Sequence, residues 1–93
     1  MIRLNCFFLA KEGKYGEALA AAKELTAASL EQDGCVAYDV FESGTREGVF
    51  LICETWRDDA ALDSHSKSAP FVKNVAVIQA CGEMKIERFE MSK

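Results

Sequence analysis

Residues 50–71, FLICETWRDDAALDSHSKSAPF, decide how this chain is read. The opening residues through Trp56 are strand formers, and strand side chains alternate between faces. Phe50, Ile52, Glu54 and Trp56 therefore share one face. Asp58 stands where a helix N-cap belongs, which predicts a helix over about Asp59 to Ser68. That helix carries His65, the only histidine in the chain, with Leu62 and Ala69 on the same side. Pro70 breaks or restarts the helix, since proline suits a first-turn position. A carboxylate, an indole and the sole imidazole thus meet at a strand-to-helix corner. One reading is a structural knot, with the indole N–H bonded to Glu54 and the histidine orienting that carboxylate. The other is a chemical site.

The flanking segments fix the topology. Cys35 to Glu42 is a strand with Val36, Tyr38 and Val40 on one face, and Ser43 to Gly48 is a turn cluster. With Val49 to Trp56 this predicts an antiparallel hairpin. Upstream, a helix is expected from about Lys14 to Asp33. Tyr15, Ala18, Leu19, Ala22, Leu25, Ser29 and Leu30 fall on one three-to-four stripe, and Gly34 marks a left-handed cap. Before it, residues 2–10 form a strand with Leu4, Cys6 and Phe8 on one face, and Arg3, Asn5, Phe7 and Leu9 on the other. Downstream, Phe71, Val72, Val75 and Ile78 mark a second helical piece ended by Cys81-Gly82. A last strand covers Glu83 to Met91. Its apolar phase slips between Ile86 and Phe89, which predicts a β-bulge near Glu87 or Arg88, or a change of face where a partner begins.

The order is strand, helix, strand, strand, helix, strand. This is an α+β, ferredoxin-like βαββαβ arrangement: a four-stranded antiparallel sheet with helices on one face. The first two strands look apolar on both faces, so a homodimer packed sheet against sheet is expected. At 93 residues the chain is read as a single domain, residues 1–93, with a limited core of its own.

Composition excludes several classes. The formal charge is −4 and the eleven Lys and Arg are scattered, which disfavours a nucleic-acid partner. No apolar run approaches the ~20 residues that cross a bilayer. The opening MIRLNCFFLA is too short for a secretory leader, so a cytoplasmic location is expected. Cys6, Cys35, Cys53 and Cys81 form no CxxC pair and sit in or beside apolar segments. They read as reduced, buried thiols, and no metal site is expected.

The chain resembles the antibiotic biosynthesis monooxygenase superfamily of small dimeric α+β barrels over nearly its whole length. The resemblance rests on the long first helix ending in Glu31-Gln32-Asp33-Gly34-Cys35, on Tyr38, on Glu54-Thr55-Trp56, on His65 and on Phe71 six residues later. Members of that superfamily include cofactor-independent quinol monooxygenases, heme-degrading enzymes and an isomerase of a phosphorylated sugar derivative. Many carry a second histidine just before the aromatic matching Phe71; here that residue is Pro70. The heme-degrading branch pairs a first-strand Asn, matched by Asn5, with a Trp and a ligating His. Those two positions fall here on His65 and near Val75, so heme chemistry is disfavoured and no cofactor is expected.

The resemblance implies a small aromatic, phenol- or quinol-like substrate oxidised with dioxygen. His65 would be the base, because its ordinary pKa lies near neutrality. Asn5 would hydrogen-bond a developing oxyanion, Trp56 and Tyr38 would wall the pocket, and Phe7, Phe50 and Phe71 would keep it dry. Glu54 is read as a supporting residue. Two alternatives stay open: an isomerase of a small, phosphorylated carbonyl compound, for which Arg3, Arg57 and Lys67 are the candidate cations, and a non-enzymatic dimeric binding protein.

Overall fold

Seven elements make up the chain over residues 1–92, which the computed structural model describes. In order they are β1 (Ile2–Ala10), α1 (Tyr15–Leu30), β2 (Cys35–Glu42), β3 (Val49–Trp56), α2 (Asp59–Lys67), α3 (Ala69–Cys81) and β4 (Gly82–Glu90). The strands form one antiparallel sheet in the order β2-β3-β1-β4. This is the expected ferredoxin-like sheet, with the most apolar strands in the middle.

Alternation sorts the sheet into two faces. Ile2, Cys6 and Phe8 of β1 and Phe50, Ile52, Glu54 and Trp56 of β3 are buried beneath the helices. The opposite face carries Asn5 against Cys53 and Phe7 against Leu51, and no helix covers it. One cross-strand row matters for the site. Tyr38 lies opposite Glu54, Glu54 opposite Leu4, and Leu4 opposite Arg88, so these four residues cross the helix-facing side of the whole sheet.

Helix α1 uses small residues to lie close to its neighbours. Ala18, Ala21, Ala22 and Leu25 are buried, and the Ser29 hydroxyl donates to the Leu25 carbonyl at 2.6 Å. Leu30, assigned to the buried stripe by its spacing, is 55% exposed. The helix ends at Leu30, three residues before the expected Asp33. There the N–H groups of Glu31 and Gln32 bond to Ala28 and Ser29, three residues back, which tightens the turn and closes the helix. Gly34 follows at φ +83, and its carbonyl accepts the Arg57 N–H at 2.8 Å. The turn before it thereby reaches the start of α2.

The break between α2 and α3 falls at Ser68, two residues before the proline. Asp58 caps α2, accepting the Ala61 N–H at 2.9 Å. Ser68, in an extended conformation, closes α2 and caps α3, with Pro70 in the first turn of α3.

Two expectations about the strands change. β4 pairs with β1 in unbroken register from Gly82 to Glu90, so there is no bulge at Glu87 or Arg88. The apolar phase slip there is a change of face: Ile86 lies on the helix side, and Phe89 on the open side. The register shift lies instead in β2, between Cys35 and Ala37, and leaves Val36 55% exposed. All four cysteines are free, Cys6 and Cys81 buried and the other two half-buried.

Candidate active site

The site is a cavity of about 660 Å³ between the sheet and helices α2 and α3. That is within the usual range for a small-molecule pocket. Its floor is the row of Tyr38, Glu54 and Leu4, with Cys6 beside it. His65 and Phe71 close one end, and Val75 and Met84 supply apolar wall. Arg88 is its one lysine or arginine and is already bonded to Asp59 at 2.7 Å and to Glu90 at 3.4 Å.

His65 is 2% exposed and packed on three sides by rings. Trp56 lies 4.3 Å away and tilted, Phe71 meets it edge-on at 5.1 Å, and Tyr38 is at 5.7 Å. Its protonation geometry follows from a chain of hydrogen bonds. The Ser68 hydroxyl donates its one hydrogen to the His65 carbonyl at 2.6 Å. Its oxygen must then accept from the Gln32 amide nitrogen, 3.1 Å away. This turns the Gln32 carbonyl oxygen toward His65 Nδ1, at 2.7 Å, so Nδ1 carries the hydrogen. Nε2 is left as a bare lone pair. It is buried, has no hydrogen-bond partner and faces Glu54 Oε1 at 3.9 Å. Burial pushes the histidine pKa down to about 4, so the ring is neutral across the neutral range.

Glu54 is held just as firmly. The Trp56 indole N–H donates to Oε1 at 2.7 Å, and the Cys6 thiol donates to Oε2 at 3.7 Å. Burial pushes the carboxyl pKa up, against the opposing effect of those two bonds and of the neighbouring Tyr38 hydroxyl. Burial and the same carboxylate also push the Cys6 thiol and the Tyr38 phenol up, so both stay protonated. The structural knot foreseen between indole and carboxylate is present. The histidine does not hydrogen-bond to that carboxylate, and Gln32 orients it instead.

The sequence-derived candidates separate into groups. His65, Tyr38, Phe71 and Glu54 come together around the cavity. Trp56 does not line it; fully buried, it stacks behind His65 as a backing wall. Phe50 is on the helix side but packs against Phe8 at 4.6 Å and Tyr15 at 6.0 Å, beneath α1 and away from the cavity. Asn5 and Phe7 are on the opposite sheet face, because the even-numbered residues of β1 are the ones that turn toward the helices. No hydrogen bond from Asn5 can reach a ligand at His65. Arg3 is on that open face too, bonded to Thr55 at 2.8 Å and Cys53 at 3.2 Å. Arg57 is paired with Asp33 and Asp58, and Lys67 with Asp63. None of the three lines the cavity. Gln32 and Ser68 were not singled out from sequence. No periodicity marks a residue in a turn, and only the Asx/Ser-type cap position of Ser68 before Pro70 was a legible signal.

A ferredoxin-like domain with one histidine lining an apolar cavity beneath its helices is the class that fold and site define. The family model described as antibiotic biosynthesis monooxygenase matches residues 1–77, and the chain belongs to that family. It is 36% identical over 76 residues to a Bacillus subtilis (strain 168) protein named "Putative monooxygenase YcnE", covering 82% of this chain and 80% of that one. A crystal structure from Bacteroides thetaiotaomicron VPI-5482, described as a conserved protein of unknown function and "Possible Oxidoreductase", is 52% identical with a TM-score of 0.94, covering 97% of this chain and 96% of that one. A crystal structure described as an antibiotic biosynthesis monooxygenase superposes with a TM-score of 0.90 at 25% identity, over 100% of both chains.

Proposed function

We propose that this protein is a cofactor-independent monooxygenase that oxidises a small phenol- or quinol-like aromatic with dioxygen. The observation that carries the reading is the buried, unpartnered Nε2 of His65, locked as a lone pair on a ring that lines an apolar cavity. A ring hydroxyl lying against Nε2 gives up its proton there. Glu54, 3.9 Å away, offsets the positive charge that forms on the imidazole. The resulting phenolate passes an electron to dioxygen, and the radical pair combines to form a carbon–oxygen bond at a ring C–H. The imidazolium returns its proton to the peroxide. Loss of water across the new bond leaves one oxygen atom in a quinone carbonyl and the other in water. Tyr38 and Phe71 hold the ring, with Trp56 backing His65.

The monooxygenase naming of the YcnE relative supports this reading. The phosphorylated-substrate alternative draws no support from Arg3, Arg57 or Lys67, all directed elsewhere. The test is oxygen uptake with a panel of phenols and reduced quinols, comparing wild type with His65→Ala and Trp56→Phe. Uptake falls by about two orders of magnitude or more in His65→Ala if it is the base. A folded His65→Ala that turns over at the wild-type rate removes the histidine from the mechanism.

The working form is a homodimer in this reading, joined through the open sheet face and located in the cytoplasm. Leu9, Phe41 and Phe89 are each about half exposed on that face, apolar surface that a second sheet would cover. Four unpaired thiols suit a reducing compartment. Among the described residues no helix is long and apolar enough to cross a membrane. Sedimentation at low protein concentration tests the association, and a stable folded monomer refutes it.

A further inference from the structure

Nε2 of His65 is the atom the proposed chemistry needs, and in this arrangement nothing outside the protein touches it. It has less than 1 Å² of exposed surface and no hydrogen-bond partner. A buried acceptor without a partner is costly, and native folds keep few of them. The groups around that atom differ in how firmly they are held. The imidazole is tethered through Nδ1 to Gln32 at 2.7 Å, and the His65 carbonyl accepts from the Ser68 hydroxyl at 2.6 Å. Glu54 accepts from Trp56 and Cys6, and the first of these bonds also fixes the fully buried indole. Tyr38 is buried on β2, with its phenol beside Ser29 and Glu54. Phe71 is different. Its ring meets the imidazole edge-on at 5.1 Å, yet it is only partly buried and has no polar atom to hold it. It lies in the first turn of α3, just after the break at Ser68, where its N–H reaches the Ser68 hydroxyl at a long 3.4 Å. It also lines the cavity, which gives the ring space to change rotamer.

We infer that Phe71 is the gate of the site. With its ring edge-on against His65, Nε2 is shut off. When the ring turns away, a substrate hydroxyl reaches Nε2 and the substrate ring takes over the contact that Phe71 gave up. The motion is a single side-chain rotation, so the bonds that fix His65, Glu54 and Trp56 stay as they are. This inference rests on the reading of His65 as the base and adds control of access to the role of Phe71. The open form is a minor population of the free protein, and between turnovers the closed form keeps water off the base.

The experiment uses the chain's single histidine. Diethyl pyrocarbonate acylates the bare imidazole nitrogen. The Nδ1 hydrogen goes to the leaving ethyl carbonate, which breaks down to carbon dioxide and ethanol. The rate at neutral pH is followed by ultraviolet absorbance and by the mass of the His65 peptide. Wild type should react about 10- to 1,000-fold more slowly than N-acetylhistidine, as an open state populated at about 0.1–10% requires. That rate should stay flat in urea below the unfolding transition, because turning one ring exposes little surface. Phe71→Ala should react at least about ten-fold faster than wild type, and Val72→Ala, its exposed neighbour, within about two-fold of it. Phe71→Val, a smaller loss of bulk, serves if Phe71→Ala does not fold, and should still react at least about three-fold faster. A folded Phe71 variant that reacts at the wild-type rate overturns the inference. So does a wild-type rate equal to that of N-acetylhistidine, or one that climbs with urea in step with global unfolding. The assay holds no substrate, so an inactive protein with the expected rates would lose the monooxygenase reading and keep the gate.

Discussion

Lowering the pH from 7 to 4 should cost this fold about 3 kcal/mol through His65 alone. In the unfolded chain a histidine titrates near 6.5. In the fold, burial holds it down to about 4. Between those values the unfolded state takes up a proton that the folded state refuses, so stability falls as pH falls through this window. The gap from 6.5 to about 4, at about 1.36 kcal/mol per pH unit, gives a total of about 3 kcal/mol. Glu54 acts in the opposite direction. Its pKa is raised in the fold, so it adds stability as pH falls through its folded value. The informative quantity is therefore the difference between wild type and His65→Phe, in which the ring volume stays and the titration goes. Urea unfolding followed by the single tryptophan at half-unit steps from pH 7 to 4 measures it. The wild-type curve should drop more steeply than that of the variant, by up to about 1.4 kcal/mol per pH unit. Parallel curves would refute both the buried neutral imidazole and the geometry argued from it.

Three further outcomes follow from the same contacts. Long-range proton–nitrogen correlation spectra of the only histidine should show Nδ1 protonated and Nε2 bare in wild type, and Gln32→Leu should mix the tautomers; a protonated Nε2 in wild type contradicts the Ser68–Gln32–His65 chain. Gly34→Ala should destabilise by about 2–4 kcal/mol, because the position is left-handed and a Cβ there would run into the Ala61 side chain, whereas Gly13→Ala, left-handed but in open space, should cost only about 1 kcal/mol; equal urea midpoints for the two would be inconsistent with that packing. Trp56→Phe should lose about 2–4 kcal/mol, since it shrinks a fully buried ring and removes the N–H on Glu54; a loss under about 1 kcal/mol would show that the indole–carboxylate bond contributes little.

Much of the architecture was legible because it rests on periodicities. Residues 50–71 gave β3, the Asp58 cap and α2 almost to the residue, since alternation, a capping aspartate and a proline are local signals. The end of α1 was read three residues late because the polar run Glu31 to Asp33 fits a helix surface as well as a turn. The site was half legible. His65, Glu54, Tyr38 and Phe71 sit on elements whose facing could be inferred. Asn5 was assigned to the site by resemblance against its own strand's alternation, which already grouped it with Arg3 and Phe7. Phe50 shows the limit of facing as a guide: it is on the correct side of β3 but lies beneath α1 against Phe8 and Tyr15, a placement that only the register with β1 and the position of α1 reveal. Gln32 was out of reach because its role depends on a turn, a serine cap and an amide orientation meeting in space.

The strict alternation of β1 and β3 has a consequence for how this protein can change. The cavity draws on Leu4, Cys6 and Glu54, and the open face draws on Asn5, Phe7 and Cys53, so the two inventories share no member. A lineage could exchange the open face residue by residue without touching the cavity, and could retune the cavity without touching the open face. Moving a residue from one inventory to the other requires a slip of one position in a central strand. In β1 that slip would turn Cys6 and Phe8 out of the core together, and for that reason the partition is very hard to cross.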